Sequence, residues 1–75
     1  MNIKYWRQYR ILGLNIAYYR KLAGFSQEDL AEIVDIAQPH LSNIEVAKVG
    51  ISMDLLFAIS EALGVEPSRL LEIRE

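Results

Sequence analysis

Cysteine is absent from the 75 residues and histidine occurs once, so no disulfide can staple the chain and an internal metal cage is not expected. No apolar run approaches the roughly 18 residues of a bilayer-spanning helix, so the chain is not expected to enter a membrane. A lack of cysteine also fits a reducing cytoplasm. Repeats, low-complexity tracts and linkers are missing, and no stretch alternates as a strand would. What remains is one all-α domain, residues 1–75, with a thin core. A chain of this length buries only about 60 to 65% of its unfolded surface, and such a core rarely supplies more than ~3–5 kcal/mol without a staple or a partner subunit. A partner subunit is the open route.

Charge is segregated. The net charge is −2, yet residues 1 to 21 hold Lys4, Arg7, Arg10, Arg20 and Lys21 and no acid, leaving three bases and ten acids for the rest. An arginine-rich start of this kind resembles a transit peptide, but its apolar stripe runs on into the domain, so targeting is not expected. Basic asymmetry fits nucleic acid or a membrane surface; the acidic pI of about 5.3 does not.

Tyr5, Tyr9, Leu12, Ile16 and Tyr19 recur at spacings of four and three, which predicts a first helix from about Ile3 to Leu22. Gly13 inside it costs roughly 1 kcal/mol relative to alanine and suggests two segments. Gly24 suits the left-handed stop, and Ser26 reads as the N-cap of a second helix with Glu28 and Asp29 in its first turn. Those acids, with Glu32, are helix-dipole partners rather than a catalytic pair. Leu30, Ala31 and Val34 supply the buried face of that helix, Asp35-Ile36-Ala37 breaks it, and Gln38-Pro39 opens a third helix burying Leu41 and Ile44. Ser52 caps a fourth, with Leu55, Leu56, Ile59 and Leu63 inward and Gly64 as the stop. Pro67 opens a fifth, packing Leu70 or Leu71 and Ile73. Adjacent Tyr18 and Tyr19 must point apart, one to the core. Arg7 and Arg10 read as a solvated face.

Within this pattern the stretch SQEDLAEIVDIAQPHLSNIE resembles the helix-turn-helix of the Cro and phage-repressor (Xre) type. The flanks YYRKLAGFSQ and ISMDLLFAISEALGVEPSRLL resemble that family's first, fourth and fifth helices. The resemblance runs from Leu12 to Arg74, with the motif at 27–45, and leaves residues 1–11 as an N-terminal extension. It implies a five-helix Cro/repressor-like domain with an extended first helix. It also implies a sequence-specific DNA-binding regulator with no cofactor and no enzymatic activity. No nucleophile with its base and no phosphate-binding glycine loop suggests otherwise. Ala31 is small where the two helices of the motif cross closely, and Asp35 stands where relatives have glycine, a position leaning to positive φ.

The resemblance places Gln38, Pro39, His40, Ser42 and Asn43 on the base-reading face, with Gln38 foremost and Gln27 bracing it. His40 has a second reading as a plain solvated side chain. Ser26 and Gln27 at the start of the second helix, with Lys48 and Lys21, are the expected phosphate contacts. Arg20 and Glu45 match positions that form a structural ion pair. Leu55, Ala58, Val65 and Leu71 form an apolar patch that predicts a two-fold homodimer, and Tyr5 and Trp6 either cover the core or extend that interface. Related short proteins imply a toxin or restriction-system partner. A second class stays open, a protein-interaction or antitoxin-type module that keeps the fold with little DNA binding. The 46–50 loop, with Lys48 its only charge, speaks for it, as does the acidic pI.

Overall fold

Each helix of this chain stops where a backbone carbonyl ladder can be closed by a left-handed residue. The computed structural model describes residues 2–74. A 3-10 turn (Ile3–Tyr5) leads into α1 (Trp6–Leu22), followed by α2 (Gln27–Ile33), α3 (Gln38–Glu45), α4 (Met53–Leu63) and a second 3-10 turn (Pro67–Leu71). The described residues contain no strand. Ser26 and Asp29 form a reciprocal capping box at α2, Ser52 caps α4 through the Leu55 N–H, and Ala37 offers α3 no side-chain cap. Positive φ occurs at Gly24, Asp35, Ala47 and Gly64, one after each helix.

The core gathers Leu12 and Ile16 from α1, Leu30 and Ala31 from α2, Leu41 and Ile44 from α3, Leu56 and Ile59 from α4, and Leu70 from the last turn. α1 is the spine, packing on α3, α4 and the C-terminal turn. Tyr19 packs against this core and Tyr18 faces out. Tyr5 and Trp6 stay about half exposed, so neither covers the core.

Two expectations are corrected. The first helix runs unbroken through Gly13, because the glycine serves a contact rather than a break. The C-terminal carbonyls of α3 press on α1 there. A Cβ at Gly13 would lie 2.7 Å from the Ile44 carbonyl oxygen and 2.8 Å from the Glu45 carbonyl carbon, and nearer still to the Glu45 oxygen. The close crossing foreseen at Ala31 thus has a counterpart one helix earlier.

Nor does Pro67 open a full helix. The chain makes one 3-10 turn and then extends at Glu72. Asn15, buried on α1, explains why: its Nδ2 donates to the carbonyls of Leu70 (2.9 Å) and Glu72 (2.7 Å). In a continued helix the Leu70 carbonyl would accept from the N–H four residues on, so the side-chain amide competes with the helix for it. Arg74 completes the clasp, donating from Nε to Asn15 Oδ1 at 2.8 Å with its guanidinium 3.7 Å from the centre of the Tyr18 ring. Leu70 is thereby buried, whereas Leu71 and Ile73 face solvent.

Beside the Gly13 contact, Arg20 and Glu45 lock α1 to α3. Arg20 Nε and Nη2 donate to Glu45 Oε2 (2.7 Å) and Oε1 (3.0 Å), and Nη1 donates to the Phe25 carbonyl (2.9 Å). Both side chains are under a tenth exposed. We expect Gly13→Ala to destabilise the protein by about 1–3 kcal/mol through overpacking, outweighing the helix propensity alanine adds. Thermal melting checks it; a higher melting temperature would mean the crossing opens freely. Glu45→Ala should cost about 3–5 kcal/mol, since it strands a buried guanidinium. Circular dichroism at 25 °C should then find the domain unfolded or nearly so, and an unshifted melt would refute the structural role.

Candidate nucleic-acid interface

An outward face needs polar side chains on a helix whose other side is fixed. On α3, Leu41 and Ile44 are buried, Pro39 and His40 are exposed, and Gln38, Ser42 and Asn43 are half-buried. Pro39 lies in the first turn, where the missing N–H has no intrahelical partner to lose. This face carries no acid and no Lys or Arg, so it can recognise only through hydrogen bonds and apolar contact.

Gln38 is not loose on this surface. Its Nε2 donates to Gln27 Oε1 at 2.8 Å, and Gln27 Nε2 donates to Glu45 Oε1 at 3.0 Å. A continuous line of side-chain hydrogen bonds therefore joins Gln38 on α3, Gln27 on α2, Glu45 at the end of α3 and Arg20 on α1. The Gln27 to Glu45 bond was missed by sequence reasoning; the signal available was only that both sit beside the same crossing.

The α2 N-terminus is already engaged. Asp29 N–H donates to Ser26 Oγ (3.0 Å) and Ser26 N–H to Asp29 Oδ2 (2.9 Å). The Ser26 backbone N–H, and after it the hydroxyl, hold the Asp29 carboxyl below its ordinary range. Because the folded pKa is the lower one, this cap contributes fully above the unfolded value and is lost as pH falls through the folded one. Gln27 keeps one side-chain N–H for an outside acceptor, whereas the Ser26 O–H reaches one only by turning away from Asp29.

Lys48 and Lys21 are exposed, and among the described residues neither side chain has a hydrogen-bond or ion-pair partner. Lys48 follows Ala47, whose φ of 60° turns the chain out of α3. Val46 beside it is 57% exposed, an apolar side chain where a phosphate contact would want a donor. On α4 and the segment after it, Leu55 and Val65 are half-buried, and Ala58 and Leu71 are exposed. Met53 and Phe57, one turn apart on α4, are 58% and 49% exposed and enlarge that apolar area. They went unnamed in the sequence because they lie outside the core stripe of α4.

Among the described residues no group of three or more His, Cys, Asp or Glu is placed to hold a metal ion, and no helix is long and apolar enough to cross a membrane.

Comparison with known proteins agrees with this geometry. The family model described as helix-turn-helix matches residues 16–70. Control protein C.BamHI of Bacillus amyloliquefaciens is 40% identical over 50 residues, a stretch that is 67% of this chain and spans 62% of that protein, just under two thirds of its length. Among solved structures, the restriction-modification controller protein C.AhdI of Aeromonas hydrophila superposes with a TM-score of 0.83 at 23% identity, covering 88% of this chain and 96% of that one; at that identity the likeness is one of fold. The clp gene regulator ClgR of Corynebacterium glutamicum gives 0.82 at 26% identity, over 85% of this chain and 68% of that one. A hypothetical transcription factor NHTF from Neisseria gives 0.82 at 28% identity, over 87% and 75%. With its motif matched across both crossing helices, the chain belongs to the helix-turn-helix family, of the Cro and phage-repressor (Xre) type.

Proposed function

We propose that this protein is a sequence-specific transcriptional regulator that binds a near-palindromic operator as a homodimer, with α3 in the major groove. The observation that carries this reading is the braced Gln38, an outward amide held at the start of α3 by Gln27. A glutamine pairs bidentately with adenine N6 and N7. His40, Ser42 and Asn43 lie further along the same face, and Pro39 meets a thymine methyl or fixes the helix start. Lys48 and Lys21 supply phosphate contacts, with the remaining Gln27 N–H and the Ser26 hydroxyl, once turned from Asp29, beside them. The action is cytoplasmic, where the duplex is.

Two-fold assembly is supported by the apolar area of Leu55, Ala58, Val65 and Leu71, with Met53 and Phe57 at its edge. A dimer of this motif sets two recognition helices about 34 Å apart, one turn of DNA, so each half-site meets one α3. The likeness to control proteins of restriction systems supports a place beside a restriction enzyme and its methyltransferase. A second reading, a protein-interaction or antitoxin-type module, is favoured by exposed Val46 in a loop with a single charge.

Binding-site selection on random duplex DNA followed by affinity measurement separates the two. Gln38→Ala should weaken the preferred site by about 1–3 kcal/mol and leave non-specific DNA unchanged. Loss of nothing anywhere would favour the protein-interaction reading. Lys48→Ala should weaken all sequences alike and flatten the slope of log K against log salt by roughly one unit per contact removed; a changed sequence preference would instead make Lys48 a base reader. Sedimentation equilibrium should find a dimer at micromolar concentration and a monomer for Leu71→Glu. A wild-type monomer at high micromolar concentration would end the dimer proposal.

A further inference from the structure

The hydrogen bonds leading to Gln38 have a direction that chemistry forces, and the direction reaches the DNA. Glu45 as a carboxylate can only accept, and two of its bonds come from Arg20, which can only donate. Gln27 must therefore turn its NH2 group toward Glu45 and its oxygen away, toward Gln38. Gln38 must in turn donate to that oxygen. An amide has two N–H groups and one oxygen, so Gln38 is left with one donor and one acceptor for a ligand.

We infer that Glu45 is a specificity-positioning residue: through Gln27 it sets the amide orientation of Gln38, and so selects adenine over guanine at the base Gln38 reads. This rests on the reading of Gln38 as a base contact. In the major groove adenine offers N7 as acceptor and N6–H as donor, which matches the pair of groups Gln38 retains; guanine offers two acceptors, O6 and N7, and one of them would face the Gln38 oxygen. The buried ion pair thus has a second office besides joining α1 to α3. It is the fixed negative end of a line that ends in a base preference.

The line can be reversed without removing it. In Glu45→Gln, the amide oxygen can still accept from Arg20 Nε, and the NH2, set where Oε1 stands, can donate to Gln27 at the loss of the Arg20 Nη2 bond. Gln27 can then turn its NH2 group outward to the Gln38 oxygen, freeing both Gln38 N–H groups for the two acceptors of guanine. In Gln27→Met the line is cut while Arg20 and Glu45 keep each other, so Gln38 turns either way.

The test uses the selected operator with A·T or G·C at the position whose preference Gln38→Ala abolishes, and reads the ratio of the two dissociation constants. The wild-type protein should favour adenine by roughly 5- to 150-fold, the span of one good bidentate contact. Glu45→Gln should bring the ratio to about one or invert it, and Gln27→Met should bring it to about one. In a Gln38→Ala background neither change should move the ratio further. Circular dichroism verifies folding, and if Glu45→Gln fails to fold, Gln27→Met carries the decision. Should Gln38→Ala abolish no preference, base reading by Gln38 fails and this inference with it. Should Gln38→Ala abolish an adenine preference that the folded variants among Glu45→Gln and Gln27→Met both retain, base reading stands and the positioning role of Glu45 is overturned.

Discussion

The carboxylate of Glu45 is the point on which three helices depend. It receives Arg20 from α1 and Gln27 from α2 while belonging to α3, so one buried anion fixes the mutual placement of all three. A buried ion pair is weak as a source of net stability, because desolvation offsets most of the attraction. Its value lies in geometry. Hydrophobic contacts among Ile16, Leu30, Leu41 and Ile44 would tolerate small slides of one helix on another. Charge-assisted bonds with fixed directions would not. The Gly13 crossing removes a further freedom, since α3 carbonyls lie against α1 backbone with no side chain between them to adjust.

The electrostatics divide along the same elements. The acid-free start of the sequence becomes a helix whose C-terminal half carries Arg20 and Lys21, where cations suit the helix dipole. Arg74 is drawn onto that helix by Asn15 and Tyr18, adding a further cation to it although it lies far away in sequence. The exposed face of α3, by contrast, is neutral. A ligand on such a face would be held by hydrogen-bond direction rather than by charge, so the orientation of the amides matters there. The overall net charge of −2 describes neither surface.

Much of this was legible in the residues, and the reasons are local. Ser26, Ser52, Gly24 and Gly64 announce helix ends by their own backbone chemistry, and the stripe through Leu12 and Ile16 announces the buried side of α1. What was illegible depends on partners distant in the chain. Gly13 reads as a helix weakness until α3 is laid against it. Asn15 reads as one more polar helix residue, yet it decides that the segment after Pro67 is a single 3-10 turn and an extended tail rather than a helix, through carbonyls 55 and 57 residues away. The bracing of Gln38 by Gln27 followed from resemblance to a family. The third member of that line, Glu45, had its ion-pair role foreseen and its hydrogen bond to Gln27 unforeseen, because spacing along a sequence carries no information about which lone pair is left free.

Both ends of α3 are turned by non-glycine residues at positive φ. Asp35 before α3 and Ala47 after it each adopt φ of 60°, where α1 and α4 use Gly24 and Gly64. Aspartate tolerates this region; alanine there costs roughly 1–2 kcal/mol. Such strain persists only where the surroundings over-determine the backbone. Around Ala47 they do: its N–H donates to the Ile44 carbonyl at 3.1 Å and the Lys48 N–H to the Asn43 carbonyl at 2.9 Å. Two residues earlier Glu45 is held by its side chain and by its carbonyl against Gly13. The helix therefore ends at one residue only, and the loop bearing Lys48 leaves it in one direction. The same clamp that aims α3 at its N-terminal amide through Gln27 thus sets, at the other end, where the single loop cation points.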